Sequence, residues 1–289
     1  MRLTDINDIK ELLSRHGFRF SKSLGQNFLT ASWVPERIAD EALLDENTGV
    51  LEVGPGIGCL TEQLSVRAGK VLSIELDKAL KPVLGETLSG RDNVELVFAD
   101  ALKLDLAALA EEKFPGMKKA VCANLPYNVT SPLITAFLEA GCFDAVTVMI
   151  QREVAHRICA APGTADYGAF TVLVNFYAEP ELLFDVSPGC FIPQPKVTSA
   201  VVRMKMRPEP LVSVRDKALF FRVVRAAFGM RRKTLSNALA AYFPELGKQT
   251  VENLLTQLGF DPRIRGEMLS IGDFAKISDS FYDLYSENL

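Results

Sequence analysis

Residues 124–127, Asn-Leu-Pro-Tyr, follow an apolar run over residues 119–123 that is typical of a buried strand. The Asn124 side-chain oxygen and the Leu125 backbone carbonyl can accept hydrogen bonds from an amino group. Because Leu125 precedes Pro126, its backbone favours an extended conformation. Tyr127 adds a flat face on which an aromatic ring can stack. Turn residues also end strands routinely, so this stretch alone leaves open a strand terminus held by turn chemistry.

A glycine-rich turn, Gly54-Pro-Gly-Ile-Gly58, follows an earlier strand pattern and opens a helical one. Glycines allow a tight turn and let a ligand approach the backbone closely. The spacing is G-x-G-x-G, which differs from the G-x-G-x-x-G of dinucleotide folds, and no G-K-[ST] follows to bind phosphates. The loop therefore suits a nucleoside ligand that lacks a pyrophosphate, although any tight strand–helix turn favours glycine.

Two acidic residues end the next two predicted strands. Glu75 can accept hydrogen bonds from both ribose hydroxyls of a nucleoside, or it can simply be a charge near a helix start before Asp77. Asp100 can accept from an adenine amino group, or it can be an ordinary acid at a strand end. The glycine turn, Glu75 and Asp100 lie at the carboxyl ends of successive strands, where open α/β sheets bind ligands.

The elements that position these residues alternate between strand and helix. Strand patterns cover residues 49–53, 70–75, 94–98, 119–123 and 145–150, with possible additions at 182–186 and 198–204. Helical patterns cover 5–15, 35–44, 60–68, 78–88, 104–113, 131–140, 152–160 and 169–178. This order predicts an α/β fold with a mostly parallel sheet and helices on both faces.

The pattern changes after residues 206–210, where two prolines indicate a linker. Only helices are predicted beyond it, at 216–228, 233–242, 248–258 and 273–285. We therefore expect an α/β domain with an N-terminal helical extension over residues 1–207 and a small all-α domain over 208–289.

Composition indicates an ordinary globular protein. The chain has 289 residues, of which 48% are apolar and 24% charged. No apolar stretch has the length of a membrane span, and the first residues carry acids where a signal peptide is apolar. The five cysteines form no C-x-x-C pair, so we expect free thiols in a reducing cytoplasm and no metal site.

Positive charge is concentrated in one stretch despite a net charge of −4. Residues 201–233 contain ten Lys or Arg and two acids, a formal charge of +8 that leaves −12 on the rest of the chain. The stretch predicts a nucleic-acid footprint in which Arg222, Arg225, Arg231 and Arg232 follow a phosphate backbone. The alternative is a solvated helix face.

Four separated motifs together resemble one enzyme family. Besides Asn-Leu-Pro-Tyr, they are Ser-Leu-Gly-Gln-Asn-Phe-Leu at 23–29, Phe-Ile-Pro-Gln-Pro-Lys-Val at 191–197 and Ala-Ala-Phe-Gly-Met-Arg-Arg-Lys-Thr-Leu at 226–235. With the glycine turn and the strand-end acids, the chain resembles the ribosomal RNA adenine N6-dimethyltransferases over its whole length. Within that family it is similar to the bacterial small-subunit (16S) enzymes associated with kasugamycin sensitivity.

The resemblance implies a Rossmann-like methyltransferase fold and the cofactor S-adenosyl-L-methionine. It implies cofactor contacts at Asn27, Leu29, Gly54, Glu75, Asp100 and Asn124. The catalytic residues implied are Asn124, Leu125, Pro126 and Tyr127. Phe191 is a candidate for stacking on the other face of the target base, and a core aromatic is its alternative. No general base is required, because a cationic amine product loses its proton readily to water.

The expected reaction is N6,N6-dimethylation of two adjacent adenosines in the 3′-terminal hairpin loop of 16S rRNA. The expected partner is that rRNA within the 30S subunit or its precursor, late in 30S biogenesis, and the expected protein is a cytoplasmic monomer. Three alternatives remain. They are a large-subunit rRNA methyltransferase of the macrolide-resistance type, a DNA amino-methyltransferase and a non-catalytic ribosome-assembly factor on the same fold.

Overall fold

A computed structural model of the chain describes residues 1–20, 25–230 and 232–287. The chain divides into two compact units, each built from two segments. The first unit comprises Met1–Ala155 and Glu179–Met206, and the second comprises His156–Ala178 and Arg207–Leu289. Each unit has its own hydrophobic core.

The first unit contains a seven-stranded sheet with the order β4-β3-β2-β5-β6-β9-β7. Its strands are β2 (Thr48–Val53), β3 (Lys70–Glu75), β4 (Val94–Phe98), β5 (Lys118–Asn124), β6 (Ala145–Gln151), β7 (Ala178–Val186) and β9 (Ser199–Met206). Strands β2 to β6 are parallel to their neighbours, whereas β9 is antiparallel to β6. The mostly parallel sheet predicted from the sequence is therefore confirmed.

Helices flank this sheet. They are α1 (Ile6–Arg15), α2 (Trp33–Glu41), α3 (Cys59–Arg67), α4 (Lys81–Thr87), α5 (Leu106–Lys113) and α6 (Thr130–Ala140), and α7 (Arg152–Ile158) spans the division between the units. Every residue of β2 is buried, as expected for a central strand covered on both faces. Val50 of β2 joins α2 and α3 in one core cluster, so the adjacent Leu51 points to the opposite face.

The topology gathers the loops that carry the predicted site residues. Because β2, β3, β4 and β5 are parallel, their carboxyl ends lie at one edge of the sheet. From β2 the chain continues to β3 on one side, and β5 pairs on the other side. Open α/β sheets bind ligands at such a reversal of strand order.

A short antiparallel pair lies outside the main sheet. Strand β1 (Phe28–Leu29) pairs with β8 (Phe191–Ile192), with Phe28 opposite Ile192 and Leu29 opposite Phe191. Two-residue strands carry no detectable periodicity, so the sequence did not predict this pair. The pair joins two of the four family motifs.

The second unit is helical. Its helices are α8 (Ala169–Tyr177), α9 (Lys217–Gly229), α10 (Leu235–Tyr242), α11 (Lys248–Gln257) and α12 (Ile271–Glu287). Its core includes the ring of Phe176 in α8, which lies 5.2 Å from Phe220 and 5.1 Å from Phe221 in α9. The sequence placed the start of the helical domain at residue 208, whereas this packing also brings 156–178 into the second unit. None of the helices in the described ranges combines the length and apolarity needed to cross a lipid bilayer.

Candidate active site

A cavity of about 230 Å³ opens at the carboxyl edge of the sheet in the first unit. The loops after β2, β3, β4 and β5 line it, together with residues 25–29. Among its lining residues are all those predicted for cofactor binding and catalysis: Asn27, Leu29, Gly54, Glu75, Asp100, Asn124, Leu125, Pro126 and Tyr127. The structure thus brings together residues that lie up to 100 positions apart in the sequence.

The glycine turn forms one wall of this cavity. Gly54 and Gly56 have φ angles of +74° and +61°, in the left-handed region that side chains other than glycine rarely adopt. A Cβ atom on Gly56 would lie 3.1 Å from the Phe28 ring, and one on Gly54 would face the Pro126 ring at 3.7 Å. Both glycines are therefore required by backbone conformation, and Gly56 also by close packing.

Glu75 lies almost fully buried at the end of β3. One carboxylate oxygen accepts a hydrogen bond from the backbone N–H of Gly56 at 3.3 Å, and the other accepts from that of Asp77 at 2.8 Å. Burial raises the pKa of the carboxyl, although these two hydrogen bonds oppose the effect. The carboxylate is fixed in orientation while retaining acceptor capacity for two hydroxyl groups.

Asp100 lies at the end of β4 and is half-buried. Its Oδ1 accepts a hydrogen bond from the backbone N–H of Leu102 at 3.1 Å, and Lys103 Nζ lies 3.6 Å from Oδ2. Asp100 therefore also caps the short helical turn that follows the strand. Its capping role and its position on the cavity are compatible, because Oδ2 can accept a further donor.

Two residues in and directly before β1 supply the other predicted contacts. The Asn27 amide donates a hydrogen bond to the Gly25 carbonyl at 2.9 Å, which leaves its side-chain oxygen as an acceptor. Leu29 is buried in β1 and packs in the core cluster that also contains α2 and α3. Both residues line the cavity.

Asn124 ends β5, and hydrogen bonds to β6 and α6 hold the backbone of the two residues that follow it. The Leu125 N–H donates to the Met149 carbonyl at 3.1 Å, and the Pro126 carbonyl accepts from the Thr130 hydroxyl at 3.1 Å. Within the described residues, neither the side-chain amide of Asn124 nor the backbone carbonyl of Leu125 takes part in a hydrogen bond. Both predicted acceptors are therefore available at the cavity.

Tyr127 is half-buried, and its hydroxyl lies 2.5 Å from the Ser199 hydroxyl in β9. Burial raises the pKa of the phenol, so it stays protonated around neutral pH. Tyr127 lines the cavity beside Asn128 and Val129.

Sequence reasoning missed Glu52, which is 1% exposed in β2. Its Oε2 accepts hydrogen bonds from the hydroxyls of Thr61 in α3 and Ser73 in β3, each at 2.6 Å. Burial raises the pKa of this carboxyl to about 7. The available signal was a single acid inside an otherwise apolar strand, directly before the glycine turn.

Comparison with known proteins agrees with this geometry. Residues 17–283 match the family described as ribosomal RNA adenine dimethylase. The chain belongs to the ribosomal RNA adenine dimethylase family. It is therefore a methyltransferase that uses S-adenosylmethionine.

Close relatives of this dimethylase family member cover nearly its whole length. "Ribosomal RNA small subunit methyltransferase A" of Alkaliphilus oremlandii is 46% identical over 280 residues, which are 96% of this chain and 98% of that protein. The protein of the same name from Pelotomaculum thermopropionicum is 48% identical over 282 residues, covering 95% and 96%.

Two solved structures share its architecture. The 23S rRNA methyltransferase ErmE is 30% identical with a TM-score of 0.64, over 87% of this chain and 98% of that one. A dimethyladenosine transferase from Plasmodium falciparum is 24% identical with a TM-score of 0.75, over 90% and 98%, and it supports the fold.

The cavity of this dimethylase fits the cofactor. The two left-handed glycines keep one wall free of side chains, and Glu75 and Asp100 offer acceptors for ribose hydroxyls and an adenine amino group. Two exposed leucines that sequence reasoning missed, Leu76 and Leu102, also line the cavity. They follow Glu75 and Asp100 closely in the chain and offer apolar surface for a purine.

Phe191 does not line the cavity. Its ring is 3% exposed and belongs to the core cluster of the first unit, whereas its strand partner Leu29 reaches the cavity wall. The structure thus shows the packing role that was its alternative, and base stacking by Phe191 stays a prediction.

The predicted RNA-contacting arginines lie in the second unit. Arg222 is exposed, and its guanidinium lies 5.0 Å from the centre of the Phe243 ring. Arg225 and Arg232 are exposed, and no carboxylate of the described residues forms an ion pair with either. Arg231 lies outside the described residues.

Other members of the basic stretch are neutralised. Arg203 forms ion pairs with Glu41 and Glu181, and Arg215 forms one with Asp283. The free positive charge of the stretch is therefore smaller than the count of +8 indicates. Arg225, Arg232 and Lys233 are exposed and form no ion pair with the described residues.

Proposed function

We propose that this methyltransferase N6,N6-dimethylates two adjacent adenosines in the 3′-terminal hairpin loop of 16S rRNA. It acts as a cytoplasmic monomer on the 30S subunit or its precursor, late in assembly. The single observation that carries the reaction is the pair of unused acceptors, Asn124 and Leu125, beside the glycine turn of the cavity. The choice of the small subunit is supported by the names of relatives that are 46–48% identical.

An adenine amino nitrogen is a weak nucleophile because its lone pair is delocalised into the ring. Hydrogen bonds from its two N–H groups to the Asn124 oxygen and the Leu125 carbonyl would orient that lone pair. The same acceptors would stabilise the positive charge that develops on nitrogen during transfer. Bound S-adenosylmethionine supplies an electrophilic methyl group on a sulfonium. The cationic product amine then releases its proton to water, so the chain need not provide a general base.

Tyr127 and the second unit would hold the RNA. The tyrosine ring offers a stacking surface to a base removed from its own stack, which is worth about 1–3 kcal/mol. Arg225 and Arg232 would bind phosphates. These roles rest on the exposure of the two guanidinium groups and on the place of Tyr127 at the cavity.

The test is methylation of unmodified 30S and 50S particles in parallel, with mass mapping of the modified nucleotides. We expect dimethyladenosine at two adjacent positions near the 3′ end of 16S rRNA. Modification of 23S rRNA alone would support the second candidate, a large-subunit enzyme, which the likeness to ErmE favours. An absence of transfer to either particle would contradict both.

A further inference from the structure

The Tyr127–Ser199 hydrogen bond links the Asn-Leu-Pro-Tyr motif to a residue of β9 that lies 72 positions later in the chain. Ser199 is the first residue of β9, is completely buried and lies opposite Gln151 in the β6–β9 ladder. The sheet therefore holds the backbone of Ser199, which fixes the position of its Cα atom. The 2.5 Å separation of the two hydroxyl oxygens is short for an O–H···O hydrogen bond.

The backbone of Tyr127 is also held by hydrogen bonds. The Thr130 hydroxyl, in the first turn of α6, lies 3.4 Å from the Tyr127 carbonyl and 3.1 Å from that of Pro126. With the backbone tied to α6 and the phenol oxygen tied to β9, both ends of the side chain are held, so the ring cannot swing to a different χ1 rotamer without breaking the hydrogen bond to Ser199. Without the Ser199 contact, only packing would restrict the ring torsions.

We propose that Ser199 is a positioning residue that holds the Tyr127 ring at the place in the cavity where the target adenine stacks. This inference rests on the proposed function, because it presumes a base that enters the cavity and lies against Tyr127. The position of the ring determines where a stacked base lies, and methyl transfer depends on the resulting placement of the amino nitrogen. A serine that never touches the substrate thereby acts on the reaction.

The rival role for this hydrogen bond is purely structural. A buried hydroxyl needs a hydrogen-bond partner, and under this role Tyr127 serves only to satisfy the Ser199 hydroxyl. Under that role, loss of either hydroxyl would lower the free energy of unfolding and leave turnover by the folded protein unchanged. The two roles are therefore separated by kinetics measured on folded protein.

The experiment compares Ser199→Ala, Tyr127→Phe and the double variant with the wild type. Single-turnover methyl transfer is measured on unmodified 30S and 50S particles, and cofactor affinity is measured by titration. We expect each single variant to lose about tenfold in the rate of transfer, because each frees the ring. We expect the double variant to be no slower than the singles, because both remove the same hydrogen bond. Cofactor affinity stays at the wild-type value.

Ser278→Ala is the matched control. Ser278 is a buried serine of the second unit whose hydroxyl has no hydrogen-bond partner among the described residues. This variant also loses a buried serine hydroxyl, but no hydrogen bond, and should transfer methyl groups at the wild-type rate. Thermal melting confirms that all variants are folded at the assay temperature.

Two results would overturn the positioning role. One is wild-type transfer by folded Ser199→Ala, and the other is a double variant whose loss is the product of the single losses. Failure of the wild type on 30S with activity on 50S overturns the proposed substrate instead. In that case the same four proteins, assayed on 50S, still test the role of Ser199.

Discussion

The Glu75 carboxylate is hydrogen-bonded to the backbone N–H of Gly56, with Oε2 and N separated by 3.3 Å. This contact joins the end of β3 to the glycine turn after β2. The same carboxylate therefore organises the wall of the cavity and is itself part of the cavity lining. Removing it affects both the shape of the wall and the acceptors available to a ribose.

For Glu75→Ala we expect a loss of about 2–4 kcal/mol in the free energy of S-adenosylmethionine binding, because two charge-assisted hydrogen bonds disappear. Isothermal titration calorimetry measures this directly. The exposed Glu46→Ala is the matched control and should bind normally. Wild-type affinity in Glu75→Ala would reassign Glu75 to holding the start of the helical turn at Asp77.

Asn124→Ala should separate binding from chemistry. Its side-chain oxygen is proposed to act on the reacting amine mainly in the transition state, so cofactor affinity should change only modestly. The rate of methyl transfer at saturating cofactor and RNA should fall by at least about 100-fold. The exposed Asn47→Ala serves as the control. Unchanged turnover in Asn124→Ala would refute its acceptor role.

Removal of Arg225 and Arg232 should weaken RNA binding and its dependence on salt. Each phosphate contact contributes a slope near −0.7 to −0.9 on a plot of log affinity against log salt, so the double alanine variant should flatten the slope by about 1–2. Cofactor affinity should not change. Binding to 30S particles at several salt concentrations provides the measurement.

Arg263→Ala offers a matched control for that experiment. Arg263 is an exposed arginine of the second unit, but its guanidinium is paired with Asp261 at 3.2 Å. Its removal should leave the slope nearly unchanged. If the Arg225 and Arg232 variant behaves like this control, the two arginines belong to a solvated helix face.

Glu52 should make the stability of the protein depend on pH. Its pKa is about 7 in the folded state against 4.5 ordinarily. Between these values the folded protein binds more protons than the unfolded chain, so the Glu52 contribution to stability falls as pH rises through this window. Glu52→Gln lacks this titration, and its stability relative to wild type should improve by up to roughly 3 kcal/mol between pH 4.5 and 8.

Urea unfolding at several pH values checks this expectation. The exposed Glu46→Gln should show no such trend relative to wild type. A gap between Glu52→Gln and wild type that stays constant with pH would mean that the pKa of Glu52 is the same in the folded and unfolded protein.

Local patterns predicted most of the first unit. Strands β3 and β4 occupy the predicted ranges, because apolar runs bounded by turn residues are strong strand signals. The nearness of Glu75 and Asp100 was predictable for a related reason, because parallel neighbouring strands place both residues at one edge of the sheet. The family resemblance supplied most of the case for Asn27 and Leu29.

Properties that depend on distant partners were not predictable. The burial of Phe191 follows from its pairing with Leu29, 162 residues earlier in the chain. The ion pairs of Arg203 and Arg215 involve acids far away in the sequence, so a count of charges overstated the free positive charge. The helical pattern at 169–178 was recognised, but its packing against α9 was not visible in the pattern itself.

Because the second unit is built from two separate segments of the chain, it limits how recombination can exchange parts of the protein. Residues 207–289 alone lack Tyr167, Val172 and Phe176, three members of the core of that unit. A single genetic crossover near residue 207 would join the helices of one ancestor to an α8 segment from another, with mismatched core side chains. Exchange of the intact unit requires three crossovers, one before residue 156 and one on each side of residues 179–206. Recombination therefore tends to pass the two units on together, as one evolving whole.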